Sequence, residues 1–236
     1  SSILPPQTLV PMRHVLVSYD DLPEQGPLIQ DFWWYNASYV NRSINGDEFD
    51  DDYKIGIVQA YENDDEPTLR RRTEEAINSI VGDLSDQYQD YDNDGTIDNP
   101  ANRYGSLPNG DRLGYIQETI LHAKYAADAA DSTPNIRRYG ENVQICLQNV
   151  NGWTEQLLEQ ALLLHETPMG SEMEPIITEI SALGEKLLSG EDANENGRFD
   201  EAIAGECGTT AAYDYAYYMA DMFIYPGPDR IPPPEK

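Results

Sequence analysis

The chain has few basic residues, and this shortage excludes whole classes of partner. Its 236 residues include 15 lysines and arginines against 43 aspartates and glutamates, which gives a formal net charge of −28. A nucleic-acid interface needs a basic surface to neutralise phosphate, so we expect no nucleic-acid partner. No apolar run approaches the roughly 18 residues of a membrane helix, which predicts no membrane insertion. The acidity indicates either a strongly solvated surface or a saline or calcium-rich medium.

Signatures of catalysis are also missing. The three histidines, His14, His122 and His165, are scattered, and none belongs to a recognisable metal-binding pair. The chain has no P-loop, no Gly-x-Ser-x-Gly, no His-Glu-x-x-His and no dinucleotide fingerprint. Because acidic residues are so frequent, no pair of carboxylates stands out as glycosidase-like. We therefore predict that the protein is not an enzyme, and a hydrolase with unrecognised carboxylates ranks last among the hypotheses.

Cysteine is scarce, and Cys146 and Cys207 are the only two. They permit either one disulfide or two buried free thiols, and the sequence does not fix their geometry. A disulfide is favoured because other features indicate an extracellular or cell-surface protein. One such feature is that Asn36 and Asn41 each begin an Asn-x-Ser sequon, which makes both residues candidate glycan sites.

What the chain does contain is a short acidic loop that occurs twice. The first loop reads Asp90-Tyr-Asp92-Asn-Asp94-Gly95-Thr96-Ile-Asp98. The second loop, about 100 residues later, reads Asp192-Ala-Asn194-Glu-Asn196-Gly197-Arg198-Phe-Asp200. Both place oxygen-bearing side chains at positions 1, 3, 5 and 9 and glycine at position 6. Oxygens at this spacing wrap a chain around a hard divalent cation, and the carbonyl of position 7 adds another ligand.

The spacing therefore predicts two Ca²⁺ sites. Their expected ligands are Asp90, Asp92, Asp94, Thr96 and Asp98 in the first loop, and Asp192, Asn194, Asn196, Arg198, Asp200 and Glu206 in the second. Thr96 and Arg198 would contribute their backbone carbonyls. The alternative is that each loop is an Asx-rich turn without a ligand.

The two loops resemble the calcium loops of EF-hand and dockerin-type modules, over about nine to twelve residues each. An EF-hand loop ends with a bidentate acid at position 12, where this chain has Ala101 or Ile203. In the second loop, Glu206 or, less favourably, Glu201 is expected to replace that acid, and in the first loop the candidate is Asp111. Without a bidentate acid, the resemblance implies weak sites of roughly 10⁻⁴–10⁻³ M, as in extracellular modules.

Apolar periodicity predicts a mainly α protein, a helical bundle that spans residues 63–225. Thr133 and Pro134 are typical of a helix start, whereas residues 149–152 are expected to bend or break that helix. Each acidic loop follows an apolar helix and precedes an Ala/Tyr-rich one, which predicts duplicated helix–calcium loop–helix units. Residues 226–236 form a Pro-rich tail.

Residues 1–62 are predicted to form an extended, partly β N-terminal arm that ends in an aromatic and acidic segment. Residues 1–30 contain five prolines, and the stretch from Met12 to Tyr19 alternates like a strand. The aromatic run from Phe32 to Tyr35 indicates either core packing or a partner-binding surface.

The favoured hypothesis is a secreted, calcium-stabilised structural or assembly protein. Self-association through the N-terminal arm would build a filament or surface layer, with copies of this chain or other surface proteins as partners. The alternative is an extracellular binding module for a small ligand or metal.

Overall fold

The helices account for most of residues 7–221, the part of the chain that the computed structural model describes. In chain order they are α1 (Leu9–Leu16), α2 (Leu28–Asp31), a π-helical segment (Phe32–Ala37), α3 (Ser38–Asn45), α4 (Ile57–Glu62), α5 (Glu66–Val81), α6 (Gly114–Asp128), α7 (Pro134–Glu166), a 3₁₀ turn (Ser171–Met173), α8 (Glu174–Ser189) and α9 (Thr209–Met219). Residues 7–221 form no sheet, which confirms the prediction of a mainly α fold.

The long helix α7 lies at the centre, and α5, α6, α8 and α9 pack against it. It begins as predicted, because the Thr133 hydroxyl accepts a hydrogen bond from the Ile136 N–H at 3.3 Å and Pro134 occupies the first turn. The predicted break at residues 149–152 is wrong, since the helix runs through them. Val150 and Trp153 are buried in the core there, and their packing keeps the helix continuous.

The prediction of an extended, partly β arm is wrong for residues 7–62. The expected strand is helix α1, and Pro11 is tolerated because it lies in the first turn, where backbone N–H groups have no intrahelical partner. Pro11 and Val15, four residues apart, form the buried face of this helix. Helix α1 packs on α6, α3 packs on α5 and α8, and α4 packs on α5. The buried core is therefore continuous across residue 62.

Residues 1–6 and the predicted tail, 226–236, lie outside the described residues, as do 222–225. Within residues 7–221, none of the helices combines the length and the apolar character needed to cross a bilayer.

A disulfide joins Cys146 in α7 to Cys207, just before α9. The favoured reading of the two cysteines is thereby confirmed, and both are fully buried. The bond closes a covalent ring of the chain that runs from the middle of α7, through α8 and the second acidic loop, to the residues just before α9.

The predicted glycan at Asn36 conflicts with the fold. Asn36 is fully buried, its amide donates a hydrogen bond to the Ser79 carbonyl at 2.7 Å, and its oxygen accepts one from the Ser106 hydroxyl. A glycan cannot occupy a side chain enclosed in this way. Asn41 is half-buried in α3 and accepts a hydrogen bond from Asn45, so its modification stays a prediction.

Candidate metal centres

The first acidic loop is folded by its own side chains. The Gly95 N–H donates to Asp90 Oδ2 at 2.9 Å, the Asp94 N–H donates to Asp92 Oδ1 at 3.0 Å, and the Thr96 N–H donates to Asp94 Oδ1 at 2.7 Å. Gly95 has φ +94°, a conformation that glycine adopts without strain, and it allows the chain to reverse at position 6.

The second loop repeats this arrangement position by position. Gly197 N–H donates to Asp192 Oδ2 at 2.7 Å, Asn196 N–H donates to Asn194 Oδ1 at 3.1 Å, and Arg198 N–H donates to Asn196 Oδ1 at 2.8 Å. Gly197 also has a positive φ, +81°. The two loops therefore share one hydrogen-bond framework, although two amides in the second replace two carboxylates in the first.

A buried glutamate from α5 lies against the first loop. Glu74 is fully buried; its Oε2 accepts hydrogen bonds from the N–H groups of Tyr91 at 2.7 Å and Asp92 at 3.1 Å, and its Oε1 accepts one from the Asp98 N–H at 2.6 Å. Burial raises the pKa of Glu74, and the three N–H donors oppose that rise. Glu74 thus fixes both ends of the loop to the helix that precedes it.

Carboxylate oxygens converge at this first loop. Glu74, Asp90 and Asp92 bring one oxygen each to within 4.8 Å of one another, and Asp92, Asp94 and Asp98 do the same. Burial and the neighbouring carboxylates raise the pKa of Asp92, and the hydrogen bond from the Asp94 N–H opposes that rise. Two overlapping groups that share Asp92 have the donor chemistry of a hard-cation site.

Asp111, the acid expected to complete the first loop, is exposed and lies beyond it in the connection to α6. The buried acid at this loop is Glu74, which precedes the loop rather than following it. The sequence could have indicated that Glu74 is buried. It lies three and seven residues before the buried Ile77 and Val81, a spacing that puts all three on the apolar face of α5.

The second loop also has a buried glutamate, and here it follows the loop. Glu206 is fully buried, and its Oε2 accepts a hydrogen bond from the Asn194 amide at 3.0 Å. The same amide also donates to Glu201 Oε2 at 3.2 Å. Both candidate acids therefore contact the side chain of Asn194, the residue at position 3 of the loop. Burial, followed by the charges of Glu201 and Asp192, raises the pKa of Glu206.

The second loop differs from the first in containing its own cation. The Arg198 guanidinium lies 3.3 Å from Asp200 and 3.7 Å from Glu201. It therefore pairs with Asp200, the expected ligand at position 9, and with the acid that follows it. All three side chains are at least partly exposed, so the ion pairs themselves add little stability. The first loop has no such internal cation among its nine residues, and we expect it to bind a divalent ion more tightly.

An asparagine on a helix anchors each loop. In the first, the Asn78 amide of α5 donates to the carbonyls of Gln89 and Asp98, both at 3.0 Å. In the second, the Asn149 amide of α7 donates to the Ile203 carbonyl at 2.9 Å, and its oxygen accepts from the Gly205 N–H at 2.8 Å. The residues flanking each loop are therefore held in place by the bundle.

Each site contains one buried carboxylate oxygen without a hydrogen-bond partner. These are Asp90 Oδ1 in the first loop and Glu206 Oε1 in the second, two of the four such side-chain oxygens within residues 7–221. A buried acceptor without a partner destabilises the fold, and a bound cation would relieve this cost. The available donors are oxygens, which suit Ca²⁺ or Mg²⁺ rather than a nitrogen- or sulfur-preferring metal.

Comparison with protein-family models, curated proteins and solved structures finds no match to this chain. The chemistry of the two loops is therefore argued from their own residues and contacts.

Proposed function

We propose that this is an extracellular structural protein stabilised by two Ca²⁺ ions. The observation that carries the proposal is the buried carboxylate oxygen without a partner in each of two loops built on the same hydrogen-bond framework. A cation at each loop would pair with that oxygen, and at the first loop it would also pair with the converging carboxylates around it.

The expected donors in the first site are Glu74, Asp90, Asp92, Asp94 and Asp98, with the carbonyl of Thr96. In the second site they are Asp192, Asn194, Asn196, Asp200 and Glu206, with the carbonyl of Arg198. Ca²⁺ accepts six to eight oxygens in flexible geometry, whereas Mg²⁺ demands a near-ideal octahedron and retains water. Donor sets of this size on exposed turns favour Ca²⁺.

A structural role suits the way the loops are held. The first loop is fixed to the preceding helix, α5, by the buried Glu74, whereas the segment after the second loop is fixed to α7 by the half-buried Asn149. Binding would therefore secure each loop to a different helix of the bundle. The shared framework supports the hypothesis that the two units arose by duplication. The disulfide supports an oxidising, extracellular location, where free Ca²⁺ is abundant enough for weak sites.

Removal of Ca²⁺ is expected to destabilise the protein. At a Ca²⁺ concentration 100 times the dissociation constant, each site contributes about 2.7 kcal/mol to the free energy of unfolding. Thermal melts of the wild type in Ca²⁺ and in chelator measure this difference. Asp92→Ala and Asn194→Ala should each abolish the contribution of one loop, and Asp92→Ala should have the larger effect.

The matched control is Glu179→Ala, which removes one exposed carboxylate from the middle of α8, thirteen residues before the second loop begins. It should retain the full response to Ca²⁺. Identical wild-type melts in Ca²⁺ and chelator would exclude the proposal, and an equal response to Mg²⁺ would exclude selectivity for Ca²⁺.

Self-association is a second candidate function, favoured by an exposed aromatic surface. Its rings form a chain, with centroids 5.5 Å apart between Trp34 and Trp33, 4.9 Å between Trp33 and Tyr213, and 4.8 Å between Tyr213 and Tyr217. Trp34 is 48% exposed and Tyr217 39% exposed. Residues 7–30 pack on their own bundle, so this surface is a better candidate for contact between copies than the N-terminal arm.

If copies associate through this surface, Trp34→Ala should convert an assembled species into a monomer in sedimentation velocity. The runs need millimolar Ca²⁺ and high salt, because copies of a chain with net charge −28 repel one another. Leu163→Ala on α7 is the control, since Leu163 is a similarly exposed apolar side chain at 45%. A wild type that stays monomeric at every concentration would remove this candidate.

A further inference from the structure

Two histidines that are far apart in sequence meet at the contact between α1 and α6. His14 Nδ1 and His122 Nδ1 are 3.4 Å apart, although 108 residues separate them along the chain. Their rings are nearly perpendicular, at 89°, with centroids 4.5 Å apart. The sequence shows no recognisable metal-binding pair among the histidines, because spacing along the chain does not record that α1 packs on α6.

We propose that His14 and His122 form a site for a late first-row divalent metal ion, represented by Zn²⁺, which is separate from the acidic loops. Two imidazole nitrogens bound to tetrahedral zinc at about 2.0–2.1 Å lie roughly 3.3–3.4 Å from each other. The observed separation of the two Nδ1 atoms fits this value. Without a metal, the same separation fits a hydrogen bond between two neutral rings. Metal binding would require the rings to turn until both Nδ1 lone pairs point at one ion, and the donating ring would move its proton from Nδ1 to Nε2.

The surroundings of His122 fit a ligating histidine. Glu118 lies one turn earlier in α6, and its Oε2 is 3.8 Å from His122 Nε2, with both side chains largely buried. A ligating histidine usually donates a hydrogen bond from its second ring nitrogen to a carboxylate or carbonyl, which fixes the ring and leaves the first nitrogen for the metal. At 3.8 Å Glu118 is beyond hydrogen-bond distance of Nε2, so it would have to move closer to take this role. Tyr19 packs edge-on against both imidazoles, with centroid distances of 5.1 and 5.4 Å, and restricts their rotation.

The electrostatic setting favours a cation between neutral rings. Burial lowers the pKa of both imidazoles, that of His122 to about 4, so both are uncharged at neutral pH. Asp20 and Asp21 contribute negative potential at His14, and Arg13 opposes them. His14 is half-buried and the His122 side chain is 13% exposed, so the pair is not sealed from solvent.

Zinc at this position would link α1 to the rest of the bundle. Imidazole nitrogen is a preferred ligand of Zn²⁺, Cu²⁺ and Ni²⁺, whereas Ca²⁺ prefers oxygen. The two kinds of site should therefore bind different ions, and saturating Ca²⁺ should not displace zinc from the histidines.

The test is a Zn²⁺ titration of the full chain in millimolar Ca²⁺, followed by nuclear magnetic resonance of the imidazole nitrogens. Zinc should shift the Nδ1 resonances of His14 and His122 and leave those of His165 unchanged. In calorimetry, His14→Gln and His122→Gln should each weaken binding at least tenfold, while His165→Gln should bind like the wild type. His165 is the third histidine of the chain and is also half-buried, so it controls for adventitious imidazole binding.

The wild-type spectrum decides the question even if a variant fails to fold. If saturating Zn²⁺ leaves both Nδ1 resonances in place, the pair is only a hydrogen bond and the proposal is wrong. The proposal also fails if folded His14→Gln and His122→Gln proteins bind Zn²⁺ as tightly as the wild type, since the metal would then be bound elsewhere.

Discussion

Replacement of Glu74 by alanine should lower the free energy of unfolding by about 3–5 kcal/mol. The substitution removes the acceptor of three backbone N–H groups, those of Tyr91, Asp92 and Asp98. Hydrogen bonds to a charged group contribute about 1.5–3 kcal/mol each, so three of them would contribute more than the expected loss. The cost of burying the carboxylate, which raises its pKa, offsets the difference. Urea denaturation monitored by circular dichroism measures the loss.

The same experiment in chelator separates the role of Glu74 from that of the metal. Glu74→Ala should remain destabilised without Ca²⁺, because the three N–H donors depend on the carboxylate itself. Asp92→Ala should lose less stability than Glu74→Ala in chelator, because it removes only the acceptor of the exposed Asp94 N–H, and its larger loss should appear in Ca²⁺. If Glu74→Ala lies within 1 kcal/mol of the wild type in chelator, the buried carboxylate does not organise the loop.

Loss of the disulfide should have an effect of similar size. The Cys146→Ala/Cys207→Ala double variant is expected to lose about 4 kcal/mol, the value that the chain-entropy model gives for a sequence separation of 61 residues. The double variant avoids leaving one free thiol in the core, where both sulfur atoms are fully buried. Denaturant midpoints of the two proteins provide the comparison.

Reducing agent gives the matched control for this variant. It should move the wild type to about the midpoint of the double variant and leave the double variant unchanged. Equal midpoints for the oxidised wild type and the double variant would mean that the disulfide does not restrict the unfolded chain. If the double variant loses stability but the reduced wild type does not, the loss would instead reflect repacking around the two alanines.

The helices after residue 63 could be predicted because their signals are local. The periodic apolar residues of α5 and α8, and the hydroxyl of Thr133 next to Pro134, lie within a few residues of the structure they specify. The spacing of the acidic loops is local in the same sense. Their hydrogen-bond framework follows from Asx side chains that cap backbone N–H groups a few residues further along the chain.

The other features depend on contacts between distant residues. Glu74 reaches its loop from the preceding helix, and His14 meets His122 only because α1 packs on α6. The prolines of the N-terminal segment were misleading because Pro11 lies in the first turn of a helix, where proline is compatible. The sequon at Asn36 carries no information about burial, and only the packed structure shows that its amide is enclosed.

The disulfide also determines which fragments stay together when the chain is cut. The second loop lies between Cys146 and Cys207, whereas the first loop lies before both cysteines. A single proteolytic cut in the second loop leaves two fragments joined by a covalent bond. A cut in the first loop releases an N-terminal fragment that only non-covalent packing retains. Cleavage of the two similar loops therefore has different results. After a cut in the second loop the disulfide still joins the two fragments, whereas after a cut in the first loop no covalent bond joins them.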